Sequence, residues 1–138
     1  MDNFYSGKLY YDSGELRYEG FIQNEMPCGQ GISYFKNGRK HMEGRFGDWF
    51  IEEGKEYYKN GNLKFEGKYN SGPRTYYGPR YFVEGKLYYE SGRLWYEGTF
   101  DIEKHGSMGY PIFKGSKSFL SGIEYDEVGN IAKIHKGK

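Results

Sequence analysis

Hydrophobic and polar positions along this chain recur in a short unit. Each unit opens with a glycine, continues with two adjacent aromatic residues, places a second glycine seven positions after the first, and reaches Glu-Gly twelve and thirteen positions after it. Four copies read GKLYYDSGELRYEGFI from Gly7, GISYFKNGRKHMEGRF from Gly31, GKEYYKNGNLKFEGKY from Gly54 and GKLYYESGRLWYEGTF from Gly85. A degenerate fifth copy, GIEYDEVGNIAKIHKG, begins at Gly122. Self-similarity of this kind predicts a repeat architecture.

Each unit predicts a β-hairpin. A short aromatic run leads into a turn dipeptide, which is Ser13-Gly14, Asn37-Gly38, Asn60-Gly61 or Ser91-Gly92. Asn-Gly is the strongest two-residue hairpin signal, since both of its residues tolerate positive φ. A single hairpin is at best marginally stable in water, so stacking five of them joins small apolar patches into one continuous buried surface.

A two-residue turn fixes a register, and the register assigns side chains to faces. With Asn37-Gly38 at the turn centre, Tyr34 lies opposite His41, and cross-strand partners share a face. The predicted buried face carries three clusters: Tyr11 with Leu16 and Tyr18, Tyr58 with Leu63 and Phe65, and Tyr89 with Leu94 and Tyr96. The predicted second face carries four pairs, Tyr10 with Arg17, Tyr34 with His41, Tyr57 with Lys64 and Tyr88 with Trp95, together with Glu19, Glu43, Glu66 and Glu97.

The second face is thus predicted to be a row of tyrosines beside cations, which suits cation–π packing and partner binding. A solvated sheet face whose tyrosines cover the backbone is the competing interpretation.

Composition narrows the function classes. The chain has 138 residues, with 16 Tyr, 10 Phe and 22 Gly, and its net charge is +1. The near balance of charge gives no basic bias toward nucleic acid, and it disfavours a membrane role for the same reason. Cys28 is the only cysteine, and the N-terminal residues contain no apolar run typical of a signal peptide. We therefore expect a soluble, cytoplasmic protein with a single repeat domain over residues 1–138.

The pattern G-x-x-Y-Y-x-x-G-x-L-x-Y-E-G resembles the MORN repeat, in the variant form common in bacterial proteins. The resemblance covers roughly residues 4–100 and is weaker from 122 on. It implies an all-β fold, an elongated single-layer antiparallel sheet of about five tandem β-hairpins. MORN arrays are associated with protein binding, dimerisation and sometimes phosphoinositides, and bacterial variants resemble antitoxin or immunity partners of toxins.

Two irregular insertions interrupt the repeat. The first spans residues 68–84, and its Tyr and Arg residues are of the types enriched at interface hot spots, which predicts partner binding through Arg74, Tyr76, Tyr77, Arg80 and Tyr81. A decayed repeat is the alternative. The second spans residues 99–121 and holds Asp101, Glu103 and His105, whose alternate spacing would suit a metal, although a solvated strand end explains it more simply.

No catalytic constellation is found, so the chain is predicted not to be an enzyme and to need no cofactor or metal. The leading hypothesis is a binding protein that acts on a protein target, most concretely as an antitoxin, immunity protein or other inhibitor. The alternatives are capture of a small anionic ligand, such as a nucleotide or lipid headgroup, and a self-associating scaffold. A homodimer is compatible with each.

Overall fold

Ten antiparallel strands form one open sheet in the computed structural model of the chain, which describes residues 4–69, 82–101, 103–105, 110–112 and 115–137, the segments 103–105 and 110–112 by their backbone only. The first eight strands are β1 (Phe4–Tyr10), β2 (Leu16–Gln23), β3 (Met26–Tyr34), β4 (Lys40–Gly47), β5 (Phe50–Tyr57), β6 (Leu63–Tyr69), β7 (Phe82–Tyr88) and β8 (Leu94–Phe100). A two-stranded ribbon of β9 (Glu103–His105) and β10 (Tyr110–Ile112) and a 3₁₀ turn, Gly115–Ser118, precede β11 (Phe119–Tyr125) and β12 (Ile131–Lys136). The strand order β1-β2-β3-β4-β5-β6-β7-β8-β11-β12 confirms the predicted all-β fold of tandem hairpins.

The repeat turns have three-residue loops, not the predicted two-residue loops. In the second unit the amide of Gly38 donates to the carbonyl of Phe35 at 2.9 Å, and the amide of Phe35 donates to the carbonyl of Arg39 at 2.8 Å. The loop is therefore 36–38, with Gly38 in the left-handed region at φ 89°. This is a type I turn closed by a glycine bulge. The same bonds recur in all five units, which end their turns with Gly14, Gly38, Gly61, Gly92 and Gly129.

The longer loop shifts the cross-strand register, and the predicted face pairs are wrong for this reason. Tyr34 lies opposite Lys40 rather than His41, and the extra residue His41 forms a bulge before Ser33 pairs with Met42. The first unit behaves alike: Tyr10 pairs with Leu16 and Leu9 with Tyr18. Because one residue is added between them, Leu16 and Tyr18 lie on opposite faces of the sheet. The recurrent leucines, Leu16, Leu63 and Leu94, thus leave the face that was predicted to bury them.

A continuous row of glycines crosses the sheet. In the first four units the first glycine pairs with the glycine of Glu-Gly, and that glycine pairs with the first glycine of the next unit. A Cβ atom on Gly44 would overlap the carbonyl oxygen of Glu53, and one on Gly54 would overlap that of Glu43. Both residues have φ near +150° (155° and 149°), which L side chains rarely adopt. The glycines of the repeat therefore permit hairpins to approach one another closely.

The core lies on the glycine face of the sheet, which we call the inner face. Tyr18, Phe65 and Tyr96 are fully buried, as predicted, and their rings lie along the glycine row. Alternation past the row glycine places a second set of apolar side chains on the same face, namely Ile22, Phe46, Tyr69 and Phe100. A bulge at the start of the following strand brings Ile51, Phe82 and Phe119 onto it as well. The two sets form one hydrophobic cluster that runs along the array.

The two ends of the strands carry different connections. All five repeat turns lie at one end. The connections between repeats lie at the opposite end, where tight turns link β2 to β3 and β4 to β5. Both insertions leave from this opposite end, because the chain departs at Tyr69 and Phe100 and returns at Phe82 and Phe119. The ends of both predicted insertions therefore belong to the sheet, within β6, β7, β8 and β11.

Within the described residues, no helix has the length and apolar character needed to cross a membrane.

Candidate functional site on the outer face of the sheet

The face opposite the core, here called the outer face, carries a row of tyrosines alternating with aliphatic residues. Four tyrosines pair across their hairpins with Leu16, Leu63, Leu94 and Ile131. In the second unit the partner of the tyrosine is Lys40. The tyrosine row runs across all ten strands and consists of Tyr10, Tyr34, Tyr57, Tyr88 and Tyr125 with these five partners. Tyr34, Tyr57 and Tyr88 are half-buried, and Tyr10 is exposed.

A second row on the outer face consists of alternating acidic and basic side chains. Lys8 pairs with Glu19 on the first two strands, and from β4 to β8 the pairing runs without a break from Glu43 through Lys55, Glu66 and Lys86 to Glu97. The Nζ atom of Lys8 lies 3.9 Å from a carboxylate oxygen of Glu19, and that of Lys55 lies 4.0 Å from Glu66. All four side chains are about half-exposed, so these pairs add little stability and leave a surface that is balanced in charge.

The two rows are joined by hydrogen bonds from tyrosine to glutamate. The Tyr34 hydroxyl donates to Glu19 at 3.3 Å, and the Tyr57 hydroxyl donates to Glu43 at 3.2 Å. Partial burial, and next the negative charge of these glutamates, raise the pKa values of Tyr34 and Tyr57 above the usual range for tyrosine. The phenols therefore stay protonated at neutral pH and their rings are held in fixed positions. These bonds give the glutamates of the first two units a structural role.

The predicted cationic partners of the tyrosine row lie on the inner face instead. The guanidinium carbon of Arg17 is 3.7 Å from the centre of the Trp49 ring and 5.2 Å from that of Tyr11. The equivalent positions in the later units repeat this contact with the second aromatic residue of the pair: His41 stacks on Phe35 at 4.2 Å, Lys64 lies over Tyr58 at 5.7 Å, and Trp95 stacks on Tyr89 at 4.9 Å. The cation–aromatic packing exists, but each partner is one residue further along the chain than predicted.

A carboxylate lies in the middle of the inner face. Glu56 pairs with Met42 on one side and Phe65 on the other, and its side chain is 17% exposed. One of its oxygens accepts the Tyr69 hydroxyl at 2.9 Å, and the other lies 3.4 Å from Nζ of Lys64. Burial, and next the charge of Glu56, raise the pKa of Tyr69 well above its usual range. Both carboxylate oxygens therefore have a partner within the cluster.

The predicted site residues are only partly brought together. Tyr10, Tyr34, Tyr57 and Tyr88 share the outer face, whereas Arg17, His41, Lys64 and Trp95 share the inner one. The insertion residues Arg74, Tyr76, Tyr77, Arg80 and Tyr81 lie outside the described residues. Sequence reasoning missed the aliphatic half of the tyrosine row, because the glycine at the third loop position was read as the second residue of a two-residue turn.

Groups of acid, histidine or cysteine side chains that could hold a metal ion do not occur among the described residues. The side chains of Glu103 and His105, which alternate spacing had made candidates, lie outside that description. Cys28 is partly buried, and its thiol lies 3.6 Å from the side-chain oxygen of Gln23.

Comparison of the chain with protein-family models, with curated proteins and with solved structures finds no match in any of the three.

Proposed function

We propose that this chain is a non-enzymatic binding protein whose outer face binds a partner protein. The observation that carries the proposal is the composition of that face, where tyrosines alternate with leucines along a rigid sheet and a charge-balanced row borders them. Protein interfaces favour this arrangement, since aromatic residues are enriched in the contacting centre and charged residues at the rim.

Rigidity supports the same proposal. Tyr57 is fixed by its bond to Glu43, so little side-chain entropy is lost when a partner covers it. Tyr34 is fixed in the same way by Glu19. A surface of prearranged phenol rings needs no rearrangement to bind.

Charge balance argues against the alternative of anion capture on the tyrosine row. That alternative needs uncompensated cations beside the rings. The cations predicted there pack on the inner face against Trp49 and Tyr58. Lys40, which lies in the row opposite Tyr34, has its Nζ atom 3.4 Å from a Glu43 oxygen. The groups that contact the hydroxyls of Tyr34 and Tyr57 are glutamates, which repel an anion.

The more specific role of antitoxin, immunity protein or other inhibitor rests on the resemblance of the repeat to bacterial MORN variants. It agrees with a surface that binds without chemistry of its own, and the cytoplasm is the compartment we propose for it.

The partner is obtained by gentle purification of the tagged chain from its natural host, followed by native mass spectrometry. The affinity of the isolated partner is then measured for wild type, for the cross-strand double variant Tyr57→Ser/Leu63→Ser, and for Val128→Ser. Val128 is 70% exposed and lies in the fifth repeat turn, in a different hairpin from Tyr57 and Leu63. We expect the double variant to bind at least about tenfold more weakly, with Val128→Ser unchanged. Equal affinities for all three proteins would refute the proposal.

A further inference from the structure

The sheet has two unpaired edge strands, β1 and β12, within the described part of the chain. β1 exposes three aromatic side chains, Phe4, Tyr5 and Tyr10, which are 49%, 48% and 58% exposed. Phe21 of β2 is 41% exposed and stacks on Phe4 at 5.3 Å. Exposed aromatic residues beside free backbone groups form a template for another strand.

Gly7 on β1 indicates how closely a further strand could approach. In the interior of the array, glycines of adjoining hairpins face each other at a distance that excludes any Cβ atom, as between Gly44 and Gly54. A Cβ atom on Gly7 would meet only the side chains of Tyr5, at 3.1 Å, and Ile22, at 3.3 Å. No neighbouring backbone of the described chain therefore requires glycine at this position. Glycine leaves the free side of β1 open to the same close contact that joins the hairpins.

The ladder type on that free side follows from the turn. Tyr11 and Glu15 form the hydrogen-bonded pair that closes the first hairpin, and alternation along the strand makes Gly7 and Gly20 a hydrogen-bonded pair as well. Ser6 and Lys8 then direct their backbone groups away from β2. On the free side Gly7 is consequently at a non-hydrogen-bonded position, where the Cα atoms of facing residues come closest together. This is the same kind of contact as that between Gly44 and Gly54.

We propose that β1 pairs antiparallel with β1 of a second copy of this chain, about a twofold axis between the two Gly7 residues. The pairing follows directly from a register centred on Gly7. Gly7 faces Gly7 of the second copy, Ser6 faces Lys8, Tyr5 faces Leu9, and Phe4 faces Tyr10. The two side chains of each facing pair lie on the same face of the sheet. Phe4 meets Tyr10 on the outer face, and Tyr5 meets Leu9 on the inner face.

Charge is compatible with this register. Lys8 is the single charged residue of β1, and it meets Ser6 of the second copy rather than another lysine. Its own ion pair with Glu19 lies on the β2 side and is kept. The inner faces of the two copies remain on the same side, so the glycine row continues from one copy into the other. A twofold contact of this kind closes with two chains.

The other edge strand, β12, also exposes apolar side chains, Ile131 at 60% and Ile134 at 57%, but it has no glycine at the row position. His135 occupies the glycine-row position on β12, where it pairs with Gly122, and its ring nitrogen lies 2.8 Å from a Glu124 oxygen. Lys133 and Lys136 add positive charge along the same short strand. Lysine on an edge strand opposes pairing with a further strand. The second copy is therefore assigned to β1.

Sedimentation velocity over about two decades of protein concentration tests the proposal on the full-length chain. Wild type should shift from monomer to dimer as concentration rises. Ser6→Pro removes an N–H group that points away from β2, and Gly7→Ala blocks the close approach of the two β1 strands. Each substitution should therefore raise the dissociation constant of the dimer at least about tenfold. Ile134→Pro is the matched control, because Ile134 precedes the glycine-row position of β12 as Ser6 precedes that of β1, and it should dimerise like wild type. Circular dichroism identifies any variant that fails to fold.

Four outcomes would overturn the proposal. Wild type could remain monomeric throughout, a folded Gly7→Ala or Ser6→Pro variant could dimerise as wild type does, or Ile134→Pro could weaken association as much as Ser6→Pro. Growth beyond a dimer with rising concentration would also overturn it, since that requires β1 to pair with β12 in an open chain.

Discussion

The phenol ring of Tyr18 lies directly over Gly31, so that a Cβ atom on Gly31 would overlap the ring and its oxygen. The hydroxyl reaches past the glycine row and donates to the carbonyl of Phe21 at 2.7 Å. Tyr96 repeats the arrangement over Gly98 and Gly122, and its hydroxyl donates to the carbonyl of Thr99 at 2.5 Å. Glycine and the buried aromatic residue of the repeat are therefore two halves of one packing contact.

Replacing a glycine in the interior of the row should be far more costly than replacing one at its end. Gly44→Ala places a Cβ atom against the backbone of β5 and forces a residue with a side chain to φ 155°, so we expect a loss of about 3 kcal/mol in the free energy of unfolding. Gly7→Ala meets only side-chain atoms and should cost less than about 1 kcal/mol. Urea denaturation of both variants measures the difference. Similar losses would contradict the role given to close hairpin contact.

A tyrosine hydroxyl links each of three hairpins to the next. Tyr11, Tyr58 and Tyr89 donate at 2.6 Å to the carbonyls of Tyr34, Tyr88 and Tyr125, respectively. Removing one of these bonds in Tyr58→Phe should lower the free energy of unfolding by about 1 kcal/mol.

The second unit offers the reverse experiment, because Phe35 stands where the other units have tyrosine. Phe35→Tyr adds a hydroxyl positioned to reach the following hairpin, and we expect a gain of about 0.5–1 kcal/mol. Urea denaturation again provides the measurement. A loss of stability in Phe35→Tyr would show that the stack on His41 does not admit the added oxygen.

Acid should destabilise the sheet through His41. Burial lowers the pKa of His41 below its usual range, Glu56 opposes this shift, and Lys64 adds to it. The unfolded chain then binds more protons than the folded one just below the usual histidine pKa of about 6.5, so stability falls as pH drops through that value. His41→Phe keeps a ring on Phe35 and should lose part of this dependence. The free energies of unfolding of both proteins at neutral and mildly acidic pH test it, and parallel pH profiles would contradict it.

Alkali should destabilise the core through its buried phenols. Burial, with a smaller effect of Cys28, raises the pKa of Tyr18 to about 12, whereas an unfolded tyrosine titrates near 10. The folded state therefore holds the proton over this interval, and the stability due to Tyr18 is lost as pH rises from 10 toward 12. Tyr18→Phe should reduce the fall in unfolding free energy between pH 9 and 11 by about 1 kcal/mol. An unchanged slope would show that other groups account for it.

The sequence allowed the hairpins, their order and the buried aromatics Tyr18, Phe65 and Tyr96 to be predicted, because these depend on spacing within the repeat. The faces of Leu16, Arg17 and their equivalents could not be predicted, since a loop of three residues and one of two differ by a single position and a one-residue slip reverses every side chain. Ile22, Phe46 and Phe100 occupy a recurrent apolar position two residues after the glycine of Glu-Gly, and alternation along the strand accounts for their place in the core. Ile51, Phe82 and Phe119 join the core through bulges at strand starts, which alternation from the glycine row does not predict. The tyrosines of the tyrosine row were predicted to share one face of the sheet, but the leucines that pair with them were not.

Site-specific photo-crosslinking in the natural host tests the central claim most directly. A benzophenone amino acid is placed at Leu63 on the outer face or, as the control, at Val128 in the fifth repeat turn, and the products are identified by mass spectrometry. We predict a crosslink from position 63 to one polypeptide other than this chain, and no such product from position 128. The same products from both positions, or none beyond this chain itself, would contradict the claim that the tyrosine row binds a partner protein.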